Sequence, residues 1–256
     1  MTNRFLLNPF FLDQPVPGLE PLAEDDWLVN RVELPESTLQ TRMSAIHRPF
    51  ARMVSETLRR KERPVAIVGD CCAALPMAAG LEHAGVDPVL IWLDAHGDFN
   101  TWDTTPSGFL GGMPLAMLVG RGDDTLMNEL TVSRIPEEQV VLTDARDLDP
   151  GERQLLAASS VRHLDDATLL LSDELPPGPV WVHFDVDILD PEDAPAVHYP
   201  AAGGLRATQL DPIFRTLAQQ REIVAVSVST WSPQLDPEGQ TRELCMGLVD
   251  RLLGSA

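Results

Sequence analysis

The stretch Pro88-Val-Leu-Ile-Trp-Leu-Asp-Ala-His-Gly-Asp98 joins an apolar run to a segment with two aspartates and a histidine. A second stretch, Pro179-Val-Trp-Val-His-Phe-Asp-Val-Asp187, repeats the pattern further along the chain. Each apolar run is typical of a buried strand, and alternate residues at the end of a strand point the same way. The two segments together offer four carboxylates and one imidazole, which can converge where the strands end. This pattern predicts a site for two divalent cations.

Strand and helix patterns alternate along the whole chain. The strand candidates are Arg4–Phe11, Pro64–Gly69, Val89–Leu93, Gln139–Thr143, Val180–Asp185 and Ile223–Val228. The helix candidates are Ser44–Arg60, Ala73–Ala84, Pro114–Leu118, Glu152–Ala158, Ala207–Gln219 and Thr241–Leu253. Such alternation predicts an α/β fold with a mostly parallel sheet covered on both faces. No composition shift or Gly/Ser linker divides the chain, so residues 1–256 are expected to form one domain.

Both acidic segments fall at the carboxyl ends of predicted strands, as does the turn Gly69-Asp70-Cys71. The ligand crevice of an open parallel sheet lies at that edge. A single aspartate after a strand is often only a helix N-cap. Five ligand-type residues at alternate spacing after two strands favour metal binding over capping. His183 lies inside a strand pattern, where we expect a core histidine or one that supports a ligand rather than a ligand itself.

Bulk composition describes a soluble globular chain and excludes several classes of partner. With 256 residues, 44% of them hydrophobic, the chain is long enough to bury a substantial core. The net charge of −20 argues against nucleic acid and against an anionic membrane surface. Cys71, Cys72 and Cys245 do not form a disulfide framework, and we find neither a signal peptide nor a transmembrane segment. A reduced, cytoplasmic protein is therefore expected.

The ordered motifs between Val65 and Pro233 resemble those of the arginase (ureohydrolase) family, which includes arginase, agmatinase and formimidoylglutamase. They are Gly69-Asp70-Cys71, Asp94-Ala-His-Gly-Asp-Phe-Asn-Thr101, Ser107-Gly-Phe-Leu-Gly-Gly-Met-Pro114, Asp147-Leu-Asp-Pro-Gly-Glu152, Phe184-Asp-Val-Asp-Ile-Leu-Asp-Pro191 and Gly203-Gly-Leu205. The resemblance implies a three-layer α/β/α fold with two Mn²⁺ ions per chain. It also implies attack on a guanidinium or amidine carbon by a hydroxide that the two ions share.

The resemblance assigns five of the family's six metal-ligand positions to residues of the expected type, Asp94, His96, Asp98, Asp185 and Asp187. Asp98 is also expected to act in catalysis by accepting a proton from the bridging hydroxide. The sixth position, usually histidine, falls on Cys71. A thiolate is softer than imidazole and carries charge, so it would change the metal preference and the basicity of the hydroxide. The alternative is a decayed site in which Cys71 only packs.

Four further matches describe the recognition of an α-amino acid, namely Asn100, Thr105, Ser107 and Asp149. The aspartate can pair with an α-ammonium group, and the other three side chains can donate hydrogen bonds to an α-carboxylate. Each residue alone could be a loop former or a cap. Together they favour a free amino acid over decarboxylated agmatine, so the expected partner is a small guanidino amino acid.

The end of the site where the reaction occurs departs from the family pattern. A histidine often assigned to proton transfer is matched by Gly111, and the acidic residue that pairs with the guanidinium is matched by Thr230. Because an unpaired buried cation is costly, a less basic guanidine than that of arginine should fit better. These features resemble a branch of the family in D-cycloserine biosynthesis, an antibiotic pathway, that hydrolyses Nω-hydroxy-L-arginine to L-ornithine and hydroxyurea.

Two alternatives remain open. The chain could be an arginase or another guanidino-acid hydrolase with an unusual cysteine ligand. It could also be a non-catalytic family member that binds a metal or an amino acid. The family commonly forms trimers or hexamers, so a homo-oligomer is possible, although the sequence does not specify one.

Overall fold

The computed structural model describes residues 1–171 and 175–254. Its strands are β1 Thr2–Asn8, β2 Phe10–Phe11, β3 Gln14–Pro15, β4 Leu28–Val29, β5 Glu62–Val68, β6 Val89–His96, β7 Val140–Asp147, β8 Arg162–Leu164, β9 Val180–Asp185 and β10 Ile223–Ser229. Its α-helices are α1 Leu39–Arg59, α2 Ala74–His83, α3 Pro114–Leu118, α4 Thr125–Leu130, α5 Pro150–Ala157, α6 Ala207–Gln220 and α7 Gln240–Leu252. None of the helices in these ranges is both long and apolar enough to cross a membrane.

Eight strands form one sheet in the order β4-β1-β5-β10-β9-β6-β7-β8. Every neighbouring pair in this sheet is parallel. The remaining two strands, β2 and β3, pair as a short antiparallel hairpin. The α/β fold with a mostly parallel sheet, predicted from the alternating patterns, is therefore confirmed.

Helices cover both faces of the sheet, and the alternation of side chains along β6 separates the two cores. Leu90 and Trp92 lie in a core that also contains buried residues of α1 and α2. Val89, Ile91 and Leu93 lie in a second core with residues of α6 and α7. A strand buried on both faces needs apolar residues at successive positions, which explains the continuous apolar runs. The three-layer α/β/α arrangement follows.

The strand order creates the crevice. Strands β5 and β6 follow each other along the chain, yet β10 and β9 lie between them in the sheet. Ligand sites of open parallel sheets form outside the carboxyl ends of strands where the order of the sheet reverses. The carboxyl ends of β5, β10, β9 and β6 therefore border one crevice.

The first strand and the first helix differ in extent from their predictions. The single strand expected over Arg4–Phe11 is interrupted after Asn8, because Pro9 has no N–H for a ladder and the chain then turns into the β2–β3 hairpin. The first helix begins at Leu39 rather than at Ser44, since the Thr38 hydroxyl caps it by accepting from the N–H of Thr41. Helices α3 and α6 lie close to their predicted bounds.

Candidate metal centre and substrate pocket

Three strand ends bring the predicted metal ligands together. Cys71 lies in the turn after β5, Asp94 and His96 are in the last three residues of β6, and Asp98 follows two residues later. Asp185 is the last residue of β9, and Asp187 lies in the 3₁₀ turn that follows. All six side chains line one pocket of about 190 Å³. The convergence predicted from alternate spacing is present in the structure.

Asp94, His96 and Asp187 form one side of this cluster. The Nδ1 atom of His96 lies 3.0 Å from Oδ2 of Asp187 and 3.5 Å from Oδ1 of Asp94. The backbone of the segment holds both carboxylates, since His96 N–H donates to Asp94 at 2.7 Å and Ala95 N–H donates to Asp187 at 3.2 Å. The indole of Trp92 donates to the other oxygen of Asp94 at 2.9 Å.

Asp185 is the centre of the other side. Its Oδ2 atom lies 2.8 Å from the Cys71 sulfur and 3.0 Å from the Ser229 hydroxyl. Its Oδ1 atom accepts from the N–H of Asp187 at 2.9 Å and from the hydroxyl of Thr230. The sulfur of Cys71 also lies 3.2 Å from Ser229 Oγ. Cys71 is thus inside the carboxylate cluster rather than only in the adjoining apolar core.

Asp98 has an oxygen without a partner. The residue is only 5% exposed, and its Oδ2 atom makes no hydrogen bond. Its backbone adopts the left-handed region with φ of 49° and accepts at its carbonyl from the N–H of Leu115, at the start of α3. Aspartate tolerates this region better than most residues. A buried carboxylate oxygen with no donor is costly, and a cation in the pocket would compensate it.

The cluster carries more negative charge than its surroundings balance. Burial first, and then the nearby Asp94, raise the pKa of Asp98 well above its ordinary value. Burial, followed by Asp187 and Asp94, does the same to the pKa of Asp185. Burial, followed by Asp185, Asp98 and Asp94, raises the pKa of the Cys71 thiol. Although burial opposes it, hydrogen bonding to Asp187 and Asp94 raises the pKa of His96 to about 12.

These observations fit divalent cations. Three groups of side chains each present ligand atoms within 4.8 Å of one another, and they are Cys71–Asp94–Asp98, Asp94–His96–Asp187 and Cys71–His183–Asp185. Carboxylates with one imidazole suit Mn²⁺ and similar borderline ions, and a cation pair would remove the repulsion that raises the carboxyl pKa values. The donor set and the unpaired Asp98 oxygen therefore match the metal site expected from the motifs.

The four residues predicted to recognise an α-amino acid also line the pocket. Asn100 donates to Asp149 Oδ2 at 3.0 Å, which links the loop after β6 to the start of α5. The hydroxyl oxygens of Thr105 and Ser107 lie 3.3 Å apart on the same loop. Asn100 is buried and Ser107 is exposed, so the set runs from the interior of the pocket to its mouth.

Thr230 and Gly111 lie on the pocket wall as well. Thr230 has φ of 65°, a conformation that is strained for a β-branched residue. Its hydroxyl donates to Asp185 and lies 2.9 Å from the carbonyl oxygen of Ser229. At Gly111 an added Cβ would lie 2.4 Å from the ring of Phe109. Among the described residues that line the pocket, His96 is the only histidine.

Sequence reasoning missed residues that shape the pocket without reacting. Phe11 lies in the β2–β3 hairpin, and Phe109 and Tyr199 lie in two separate loops. The ring centroids of Phe11 and Phe109 are 6.2 Å apart, and those of Phe109 and Tyr199 are 5.3 Å apart. Gly69 admits the hairpin that carries Phe11, because a Cβ there would lie 2.2 Å from the Phe10 carbonyl oxygen. Only the position of these aromatic residues in the segments that follow strands could have indicated them.

Arg146 and Glu152 are two further missed residues, and both hold loops of the site. The guanidinium of Arg146 donates to the carbonyl oxygens of Asp187 at 2.9 Å, Ile188 and Ala201 at 3.2 Å, and Ala202 at 3.1 Å. Glu152 accepts from the N–H groups of Phe99 at 2.8 Å and Asp149 at 3.1 Å. Burial raises the pKa of Glu152 to about 7. The Asp149-x-x-Glu152 spacing is a capping-box signal that could have found the second contact.

Known structures share both the sheet and its surrounding helices. The chain superposes on arginase from Bacillus subtilis with a TM-score of 0.85 at 28% identity, covering 100% of this chain and 99% of that one. Arginase from Bacillus caldovelox gives a TM-score of 0.85 at 25% identity, covering 100% and 99%. The fold and the acidic strand ends thus define an arginase-like α/β protein.

Sequence comparison gives the family. The arginase family pattern matches residues 24–254. The chain is 33% identical to arginase from Bacillus subtilis over 217 residues, which are 80% of this chain and 73% of that protein. It is 29% identical to the N(omega)-hydroxy-L-arginine amidinohydrolase of Streptomyces lavendulae over 241 residues, 93% of this chain and 81% of that protein. The chain belongs to the arginase family, as the motifs predicted.

Proposed function

We propose that the protein is a two-manganese amidinohydrolase that cleaves the guanidino group of an arginine-like amino acid and prefers Nω-hydroxy-L-arginine. The observation that carries the proposal is a single pocket. Its floor holds four buried carboxylates, a histidine and a cysteine, while its wall presents the neutral Thr230. The products would be L-ornithine and hydroxyurea.

Six side chains would hold the two Mn²⁺ ions, namely Cys71, Asp94, His96, Asp98, Asp185 and Asp187. When bound, the ions would lower the pKa of a water so that hydroxide forms near neutral pH. A guanidinium carbon is a poor electrophile, so a strong nucleophile is needed. Four carboxylates balance the charge of two dications, and a Cys71 thiolate would add one further negative charge and favour a more basic nucleophile.

Asp98 would accept the proton of the attacking hydroxide. Its Oδ2 atom is buried, lies in the pocket wall and has no other partner. A carboxylate that is not engaged by backbone donors remains free to take and return a proton during turnover. Asp98 is therefore the catalytic residue of the proposal, and the other five ligands hold the centre.

The mouth of the pocket would bind the α-amino acid end of the substrate. Asp149 would pair with the α-ammonium group, and Asn100, Thr105 and Ser107 would donate to the α-carboxylate. Agmatine lacks that carboxylate, so it would leave three donors unsatisfied. A site built for polar groups discriminates strongly against analogues that lack them.

Thr230 is the reason for preferring hydroxyarginine. A cationic guanidinium next to Thr230 would meet a hydroxyl whose proton is already donated to Asp185. The hydroxyl of Nω-hydroxy-L-arginine lowers the basicity of its guanidine, so less positive charge has to be desolvated in the pocket. The 29% identity to the Streptomyces amidinohydrolase supports this choice.

Steady-state kinetics test the proposal after reconstitution with Mn²⁺. We expect kcat/KM to be highest for Nω-hydroxy-L-arginine, lower for L-arginine, and lowest for agmatine and formimidoylglutamate. Asp98→Asn should lose turnover by about 100-fold or more, and its manganese content is measured in parallel because Asp98 is also a proposed ligand. Higher efficiency with arginine than with hydroxyarginine would contradict the substrate assignment. Two bound manganese ions without turnover of any of the four compounds would favour a binding protein.

The second candidate is arginase activity itself. It is favoured by the 33% identity to the Bacillus subtilis arginase. The same assay separates the two, since the candidates differ only in which substrate has the larger kcat/KM. Three buried free thiols support a reducing compartment, and we propose a cytoplasmic location on that basis.

A further inference from the structure

A row of buried polar side chains lies on β9 and β10 below the proposed metal site. We call Trp181, His183, Asp185, Ser227 and Ser229 the β9–β10 polar column; all five are 0–1% exposed. Alternate residues of each strand share a face, so the column forms on one face of the two paired strands. It ends at Asp185, the proposed ligand that contacts Cys71.

The hydrogen bonds of the column have a definite direction. The indole of Trp181 can only donate, and it does so to Ser227 Oγ at 3.0 Å. Ser227 Oγ lies 2.8 Å from Nδ1 of His183, and Ser229 Oγ lies 3.2 Å from its Nε2. Because Ser229 donates its only proton to Asp185 at 3.0 Å, its oxygen must accept from the N–H of His183 Nε2. His183 is therefore the Nε2–H tautomer, and Ser227 donates to Nδ1.

Packing fixes the His183 ring in this arrangement. Trp92 stacks on it with centroids 3.8 Å apart and an interplanar angle of 25°. Trp181 meets it edge-on, with centroids 6.5 Å apart. A ring held by stacking, with both nitrogens in hydrogen bonds, is placed to fix the position of Ser229.

We propose that His183 is a positioning residue for the Cys71 side of the metal centre, acting through Ser229 to fix the Asp185 carboxylate and the Cys71 sulfur for one shared cation. This inference rests on the proposed two-metal centre. Ser229 Oγ lies within 3.2 Å of both groups, so its orientation controls which lone pairs they direct into the pocket. Without the donor at 183, the Ser229 hydroxyl would be free to rotate.

Direct metal binding by His183 is the competing role. Cys71, His183 and Asp185 do present ligand atoms within 4.8 Å of one another. Binding through Nε2 would break the contact with Ser229 and leave that hydroxyl without its donor. Binding through Nδ1 would break the contact with Ser227. The intact column therefore favours positioning over ligation, and the two roles predict different effects of a serine variant.

Manganese titration of the full-length metal-free protein tests the proposal by calorimetry. Ser229→Ala removes only the hydroxyl that connects His183 to Asp185 and Cys71, and His183→Leu removes the ring that holds this hydroxyl. We expect each variant to bind one of its two manganese ions about 10-fold to 100-fold more weakly, as for other residues that orient metal ligands. Because both changes break the same connection, the double variant should lose no more than the worse single variant.

A cobalt-substituted sample adds a spectroscopic readout. A Cys71 thiolate bound to Co²⁺ gives a sulfur-to-metal charge-transfer band, and this band should weaken or shift in Ser229→Ala. His183→Gln can still donate to Ser229 and should restore most of the affinity and the band. Thr143→Val is the matched control, since Thr143 is fully buried on β7 and its hydroxyl has no partner. Thermal unfolding without metal checks that each variant folds.

The outcomes separate the inference from the function on which it rests. Wild-type affinity for both ions and an unchanged band in Ser229→Ala would overturn the positioning role. Weak binding in His183→Leu with normal binding in Ser229→Ala would also overturn it and would identify His183 as a ligand. Wild-type protein that binds no manganese would instead refute the proposed metal centre.

Discussion

Introducing a carboxylate at position 230 should shift substrate preference toward arginine. Thr230→Glu restores an acidic partner for a guanidinium, and a hydrogen bond to a charged group contributes about 1.5–3 kcal/mol. The lost bond from Thr230 to Asp185 affects both substrates and cancels in their ratio. We therefore expect the kcat/KM ratio of arginine to hydroxyarginine to rise by about 10-fold to 100-fold. Glutamate is not β-branched, so it should tolerate the φ of 65° at least as well as threonine.

Thr230→Gln is the control for size, because it has the same length without the charge. The ratio should stay near the wild-type value in this variant. Competing substrates in one reaction, followed by separate quantification of urea and hydroxyurea, measure the ratio directly. An unchanged ratio in a Thr230→Glu protein that still binds two manganese ions would refute the electrostatic reasoning. An equal rise in both variants would show that shape rather than charge selects the substrate.

Three further changes probe the ligand shell and the loops around it. Cys71→His should keep the fold but alter manganese content or turnover, measured by elemental analysis and steady-state assay; unchanged values would remove Cys71 from the ligands. Arg146→Met should lower the free energy of unfolding in urea by about 2–5 kcal/mol, since the partly buried carbonyl oxygens around Asp187 and the Asp144 carboxylate lose their donor; a loss below 1 kcal/mol would contradict this. Burial raises the pKa of Glu152 from 4.5 to about 7, so the folded state keeps a proton that the unfolded state releases, and stability falls as pH rises through that window. In metal-free protein, the free energy of unfolding of Glu152→Gln relative to wild type should therefore increase by up to about 3 kcal/mol from pH 4.5 to pH 8. Urea unfolding at both pH values measures this difference, and the same difference at the two values would refute the assignment.

The sheet and the convergence of the candidate ligands could be predicted because their signals are local. A fully buried parallel strand needs a continuous apolar run, and ligands at its end need alternate spacing, so both are readable within ten residues of sequence. Asp94 and Asp185 were found in this way. The single domain over residues 1–256 and the role of each site residue stay predictions, since neither follows from the shape of the fold.

The order of the strands and the loop contacts could not be predicted from local signals. Nothing in the sequence near β5 indicates that β10 and β9 separate it from β6. The guanidinium of Arg146 bonds to carbonyl oxygens, which every residue has, so no pattern of residue types marks its partners. The left-handed φ of Thr230 could not be predicted either, because β-branched residues rarely adopt it.

The polar column illustrates how fold and site compete for the same residues. On β9 and β10 the opposite face carries Val182, Phe184 and Val226, which pack into the apolar core. Apolar side chains at 183 and 229 would satisfy a buried sheet equally well, since replacing both partners of a hydrogen bond can be neutral for stability. The β9–β10 polar column is fully hydrogen-bonded, but the fold does not require it, so the neighbouring site is the better explanation for it. Asp185 and Cys71 lie beside this network, so the proposed metal site accounts for the polar face of these strands better than the stability of the sheet does.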